Sequence, residues 1–302
     1  MFKSKNGMSR ALVRRETTAG YLFLLPSLFF FVTFVLYPMF LCIYTSFFDS
    51  NMGKNAVDVF VGLGNYKELF QDKLFLGALK NTVLIVVVAV PTVCAFSLWV
   101  ATAIYDMKPA LTSAFRCIFY LPVVTGSVAV TVVWKWMYNN RYGVFNYLFK
   151  SLDIIDQNIN WLGDARFALW CIILILFTTS VGQPIVLYVS ALGNVDHSLV
   201  EAAEVDGANR RQVFWKIKWA QIMPTTLYIL IITTINSFQC FALIQLLTSG
   251  GPTHSTDTIM YYIYYTAFKL YRYGYGNAMG VVLMVIIAVL SAVQFKLGQR
   301  SD

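Results

Sequence analysis

Six apolar stretches, near 21 to 48, 82 to 105, 114 to 138, 167 to 190, 225 to 247 and 277 to 297, dominate this chain. Each is long enough to cross a hydrocarbon core, which takes about 20 helical residues. In hydrocarbon every backbone polar group must be satisfied within the segment, so each stretch is predicted to be a helix and the fold class to be an all-α polytopic membrane protein. Charge agrees: 13% of the 302 residues are charged against 58% hydrophobic, where a soluble domain carries about 25% charged residues. A soluble enzyme is excluded. The first stretch is too long for a secretory signal and no small-residue cleavage site follows it, so it is expected to stay as a helix.

The net charge of +8 does not signal nucleic acid, because the basic residues lie between apolar stretches and form no basic face. Topology accounts for them better. Lys3, Lys5, Arg10, Arg14 and Arg15 stand against the single acid Glu16 in a tail spanning 1–20, which by the positive-inside rule puts the N-terminus in the cytoplasm. Six spans return the C-terminal tail, 298–302, to the same side. Residues 21–297 then form one six-helix transmembrane domain. Five cysteines without CxxC spacing and two isolated histidines, His197 and His254, argue against metal or disulfide chemistry.

The most informative segment is polar. Between spans four and five, residues 196–224 exceed what a helix-to-helix link needs. Ser198 with Glu201 has the form of a capping box, and Gly207 sits where a short helix needs a left-handed terminating residue. A second helix is predicted from Asn209, with Gln212 three residues on. Leu199, Ala202 and Ala203 share a face of the first arm, while Val213, Phe214, Ile217, Ala220 and Gln221 form a stripe on the second. Small residues on a short arm suit it to sit in another protein's cleft.

The run Glu201-Ala202-Ala203-x-x-x-Gly207, with Asp206, Ala208, Phe214, Ile217 and Pro224, resembles the EAA loop of permease subunits of binding-protein-dependent ABC importers. Leu243 to Leu247, Gly250-Gly251-Pro252 and Tyr261-x-x-Tyr264-x-x-Ala267-Phe268 are similar to the carbohydrate branch, in particular to the larger maltose-type subunit, whose big external domain is missing here. Leu25-Pro26, Gly62-x-x-Asn65-Tyr66 and Asn81-Thr82 extend the likeness. The chain departs from the family at Asp196 and Trp219-Ala220, where prolines are usual, so the second arm is expected to be straighter.

The resemblance implies a type I ABC importer permease fold in a prokaryotic cytoplasmic membrane. It implies that Glu201, Ala202, Ala203, Asp206, Gly207, Ala208, Phe214 and Ile217 couple the chain to an ATPase. Its partners would be a related second permease forming a heterodimer, two copies of an ATPase subunit and an extracytoplasmic solute-binding protein. With no GxxxxGK[ST] run here, the chain is not expected to be an enzyme or to hold a cofactor, ATP and Mg being bound by the ATPase. Glu201 is expected both to cap its own helix and to face that partner.

Polar residues at membrane depth need a reason. Span five carries Thr233, Asn236, Ser237, Gln239 and Cys240, most of them on one helical face. One reading is interhelical hydrogen bonding. The other is a substrate-binding face, since Thr233, Ser237 and Cys240 fall in the register that contacts sugar in the maltose-type relative; Gln183 in span four is a further candidate. Pro91, Pro122 and Pro184 are expected to bend their helices. Two rival readings are a secondary transporter, for which the span interiors hold no Asp or Glu for ion coupling, and, within the family it resembles, a permease for a non-sugar solute such as glycerol phosphate.

Overall fold

The computed structural model describes residues 10–50 and 58–298. Lys3 and Lys5 of the basic cluster and tail residues 299–302 lie outside the described residues. Within them the chain is helical almost throughout. Its one sheet is a two-stranded antiparallel pairing of Phe48–Asp49 with Val59–Phe60.

Span one, Thr17–Thr45, is the least embedded, with none of its most apolar window buried. Phe23 and Phe34 are 86% and 68% exposed. It meets the bundle through its far end, where Asn277 of span six donates to Thr45 Oγ1 at 2.7 Å. The described part of its helix includes Arg10–Phe31.

Span two, Lys73–Ile104, begins nine residues earlier than its apolar stretch. The Asp72 carboxylate N-caps it, accepting from the Leu74 N–H at 2.8 Å, and so extends a helix whose hydropathy starts only at residue 82. Pro91 does not break it. Its neighbour Thr92 donates to the Val88 carbonyl at 2.7 Å.

Span three is two helices, Pro109–Val124 and Ser127–Met137, set at 95°. Thr125 is extended and ends the first helix, and Pro122 three residues earlier, with no N–H for the Ile118 carbonyl, loosens its last turns. Span four, Ala168–Gly193, breaks at Val181 rather than at Pro184. Pro184 lies in the first turn of Gly182–Gly193, where a missing N–H costs nothing. Gly182 allows a close approach, since a β-carbon there would stand 2.3 Å from the Phe119 carbonyl of span three.

Span five runs from Arg210 to Leu247 with a break at residues 239–241, and the second arm of the polar loop continues without interruption into the span as far as Phe238. A π-helical segment, Phe214–Lys218, lies within the arm, and Pro224 sits inside the helix that follows. Span six is Tyr273–Gly298. The buried core runs between spans two, four and five, through Val93, Ile185, Tyr188, Ile222 and Ile229.

Candidate functional site

The first arm of the polar loop is the helix His197–Val205. It opens one residue earlier than the predicted capping box. Asp196, extended, accepts from the Ser198 N–H at 2.9 Å and is the N-cap; Ser198 is not. The bonds to Ser198 hold the Asp196 carboxyl below the usual carboxylate range. The capping role expected of Glu201 therefore falls away, and its side chain is exposed.

At the other end Gly207 has φ +83°. Its N–H bonds the Glu204 carbonyl at 3.1 Å and the Ala208 N–H bonds the Ala203 carbonyl at 2.9 Å, which is a Schellman termination. Asn209 then caps the second arm with a full capping box, its side chain accepting from Gln212 N–H at 2.9 Å while Gln212 Oε1 accepts from Asn209 N–H at 2.8 Å.

The two arms are tied together and to the bundle. Gln221 accepts from the Asp196 N–H at 3.1 Å. The Lys218 ammonium donates to the Tyr105 hydroxyl at the end of span two and stands 4.6 Å from that ring's centroid. An open cleft of about 320 Å³ between the arms is lined by Ala203, Asp206, Gly207, Ala208, Gln212 and Ile217. Ala202 is exposed, and Phe214 is half-buried. The sequence reading missed two apolar residues of the loop: Val205 is 87% exposed and Trp215 54%, and they stand beside the expected Leu199 at 50%. A valine directly before an Asp-Gly stop was the available signal.

The span-five polar residues divide. Thr233 and Asn236 line a cavity of about 140 Å³ with Gln183, Thr179, Ser180 and Pro184, between spans three, four and five. Ser237 and Cys240 do not line it. Ser237 is 1% exposed, and Cys240 packs among Tyr138, Ile172 and Ile244. Gln239 is exposed at the helix end, away from the cavity. Thr179 and Ser180 were not singled out in the sequence, although Thr178-Thr179-Ser180 is the only such polar run in span four.

At the opposite end of the bundle, polar residues strap loops onto helices. Asn65 donates to the Ser46 and Phe48 carbonyls at 2.8 and 2.9 Å, Asn81 to those of Ser255 and Asp257, and Thr82 accepts from Ile259 N–H. Arg272 grips Glu68 through two bonds of 2.8 Å, which hold the Glu68 carboxyl below its usual range. Burial raises the Asp257 carboxyl, with His254 Nδ1 at 2.6 Å opposing it. Among the described residues no cluster of His, Cys, Asp and Glu is arranged to hold a metal ion.

Residues 73–302 match the family of binding-protein-dependent transport system inner membrane components. The chain is 33% identical over 288 residues to the probable ABC transporter permease protein YesP of Bacillus subtilis (strain 168), covering 94% of this chain and 91% of that protein. It is 32% identical over 288 residues to the lactose transport system permease protein LacF of Rhizobium radiobacter, covering 94% and 95%. In fold it is similar to a chain of a bacterial alginate ABC transporter, crystallised with an alginate pentasaccharide-bound periplasmic protein, at a TM-score of 0.81 and 23% identity over 95% of this chain and 96% of that one.

Proposed function

Because the chain belongs to the family of binding-protein-dependent transport system inner membrane components, we propose that it carries a sugar or oligosaccharide across the membrane as one of two permease subunits, with ATP hydrolysed by a separate ATPase. The observation that carries this reading is the continuity of the loop's second arm with span five, which lines the Gln183–Asn236 cavity. A force on the loop is thereby delivered to the cavity wall through one rod.

On this reading the loop faces the cytoplasm and each ATPase subunit takes one loop into a cleft. Glu201, Ala202, Ala203 and the Gly207 corner form the contact, with Val205, Leu199 and Trp215 as its apolar anchors. ATP and Mg stay on that partner. Two symmetric ATPase subunits call for two loops, hence a second permease; the resemblance to the carbohydrate branch favours a related but different chain. A cavity of about 140 Å³ is small for a saccharide, since ligand pockets run to roughly 300–1,000 Å³. The second permease supplies the remaining wall. An extracytoplasmic binding protein delivers cargo to the opposite end, and cargo choice is shared with it. The lactose permease relative supports the sugar assignment.

Reconstitution in liposomes with the partner subunits and binding protein tests this. Uptake is expected to require ATP inside, and Gly207→Val to abolish it. No atom lies within 4 Å of a β-carbon built at Gly207, so the damage is conformational: a left-handed backbone costs a non-glycine residue about 1 to 2 kcal/mol, and a β-branched one more. Full uptake by Gly207→Val, or uptake without ATP, overturns the reading.

A further inference from the structure

On the loop side of the Gln183 cavity lies a second one of about 450 Å³, lined by Arg116, Cys117, Tyr120, Gln183, Val186 and Leu187. Gln183 and Leu187 line both, so the two are contiguous. Arg116 lies in the middle of the helix Pro109–Val124, an apolar segment of span three. Its Nε is buried and donates to nothing. None of the ion pairs among the described residues involves it.

Arg116 stands near the loop-side edge of span three, yet a buried N–H without an acceptor is costly wherever it lies, and such groups face a pathway or a partner. Snorkelling can serve the terminal nitrogens at this edge of the span, but it leaves the Nε shut off from solvent and without an acceptor. The fork of N–H donors matches an oxyanion in a bidentate fashion. Gln183 stands at the junction and offers an amide to either cavity.

We propose that Arg116, with Gln183 and Tyr120, forms an anion-binding subsite on the path of the cargo, so that the transported saccharide carries a carboxylate, phosphate or sulfonate beside its hydroxyls. This rests on the permease reading above and names the cargo class more narrowly. The cargo, rather than a lipid headgroup, is the source of the anion because the subsite opens into the polar Gln183–Asn236 cavity.

Cys117 supplies the reporter. It lines the same cavity and is exposed, while Cys42 is half-buried and Cys94, Cys171 and Cys240 are buried. The complete transporter is placed in nanodiscs of zwitterionic lipid, and the rate of Cys117 labelling by an uncharged maleimide is measured with digalacturonate, glucose 6-phosphate or lactose. At least one of the two anionic sugars is expected to slow labelling by about tenfold more than lactose does, the discrimination of one charge-assisted contact. Arg116→Gln is expected to erase that difference, and Arg116→Lys to retain part of it.

Equal protection by all three sugars, protection by neither anion, or protection that survives Arg116→Gln overturns the subsite. So does labelling that slows with added phosphatidylglycerol and ignores sugar, which assigns Arg116 to a headgroup. ATP-dependent uptake scored on the same preparations separates the two failures. Uptake that remains ATP-dependent while the labelling difference is missing sinks the subsite alone, whereas uptake by the unmodified complex without ATP sinks the permease assignment.

Discussion

Asp72 joins four partners at the start of span two. Its carboxylate caps the helix through Leu74 N–H and accepts from the hydroxyls of Tyr262 and Tyr275 at 2.7 and 2.9 Å. Burial pushes this carboxyl up, but the two hydroxyls and the N–H groups of Leu74 and Phe75 outweigh it and leave it below the ordinary range. A carboxyl depressed by folding contributes its stability above the unfolded value near 3.9 and loses it as the pH falls through the lower folded one. Asp72→Asn is therefore expected to destabilise the detergent-solubilised protein at pH 7 by about 1 to 2 kcal/mol, a lost cap and weakened hydroxyl bonds. The gap to wild type should narrow as the pH falls below the unfolded value near 3.9 and through the lower folded one, as read by thermal unfolding; a gap unchanged with pH would mean the charge is irrelevant. Asn65, Asn81 and Thr82 are likewise spent on strapping loops. Their side chains satisfy backbone groups that loop residues leave open, which separates them from the polar groups that line a cavity.

Among elements, span four shows how a bend can be placed by packing. Its break sits at Val181–Gly182, where the backbone passes the Phe119 carbonyl too closely for any side chain. Gly182→Val must push spans three and four apart, and overpacking of this kind costs about 1–3 kcal/mol. The expected result is a lower unfolding temperature together with impaired uptake, since both spans border the Gln183 cavity; a variant as stable as wild type would show that the helices can slide. Span five makes the complementary point. Its second arm is held by Lys218 on Tyr105 and by Gln221 on the Asp196 N–H. Lys218→Met removes the first tie without touching the cleft lining, and is expected to leave ATPase association intact while lowering uptake per ATP hydrolysed. Unchanged coupling would show that the rod needs no anchor on span two.

At the scale of the whole molecule, the cavity separates residues that look alike on a helical wheel. Asn236 faces it, whereas Ser237 is enclosed by the chain's own helices. Asn236→Leu is expected to reduce uptake severely with little change in unfolding temperature, because the residue lines the cavity and is not part of the core. Ser237→Leu is expected to do the reverse in order of cause, destabilising first by about 1–3 kcal/mol through overpacking. Equal thermal losses in the two variants would remove the distinction and return the whole stripe to helix packing.

The membrane class, the helical state of the six stretches, the Gly207 corner and the Asn209–Gln212 cap were all legible in the sequence, because hydropathy, a left-handed backbone and a cap are local requirements met by residues a few positions apart. What stayed hidden depends on partners distant in the chain. The place of the span-four break was set by the Phe119 carbonyl, brought near only by folding, while the early start of span two rests on a local Asp72 cap that hydropathy does not register and that Tyr262 and Tyr275 hold from far along the chain. The cap at Asp196 instead of Ser198 escaped notice because two capping residues stood two positions apart and backbone geometry chose between them. The sequence placed Thr233, Asn236, Ser237 and Cys240 on one broad face, since a helical period assigns a residue only to within a sector of the wheel. Which part of that sector meets a cavity and which meets Tyr138 and Ile172 was decided by how spans three, four and five cross, a relation no local pattern encodes.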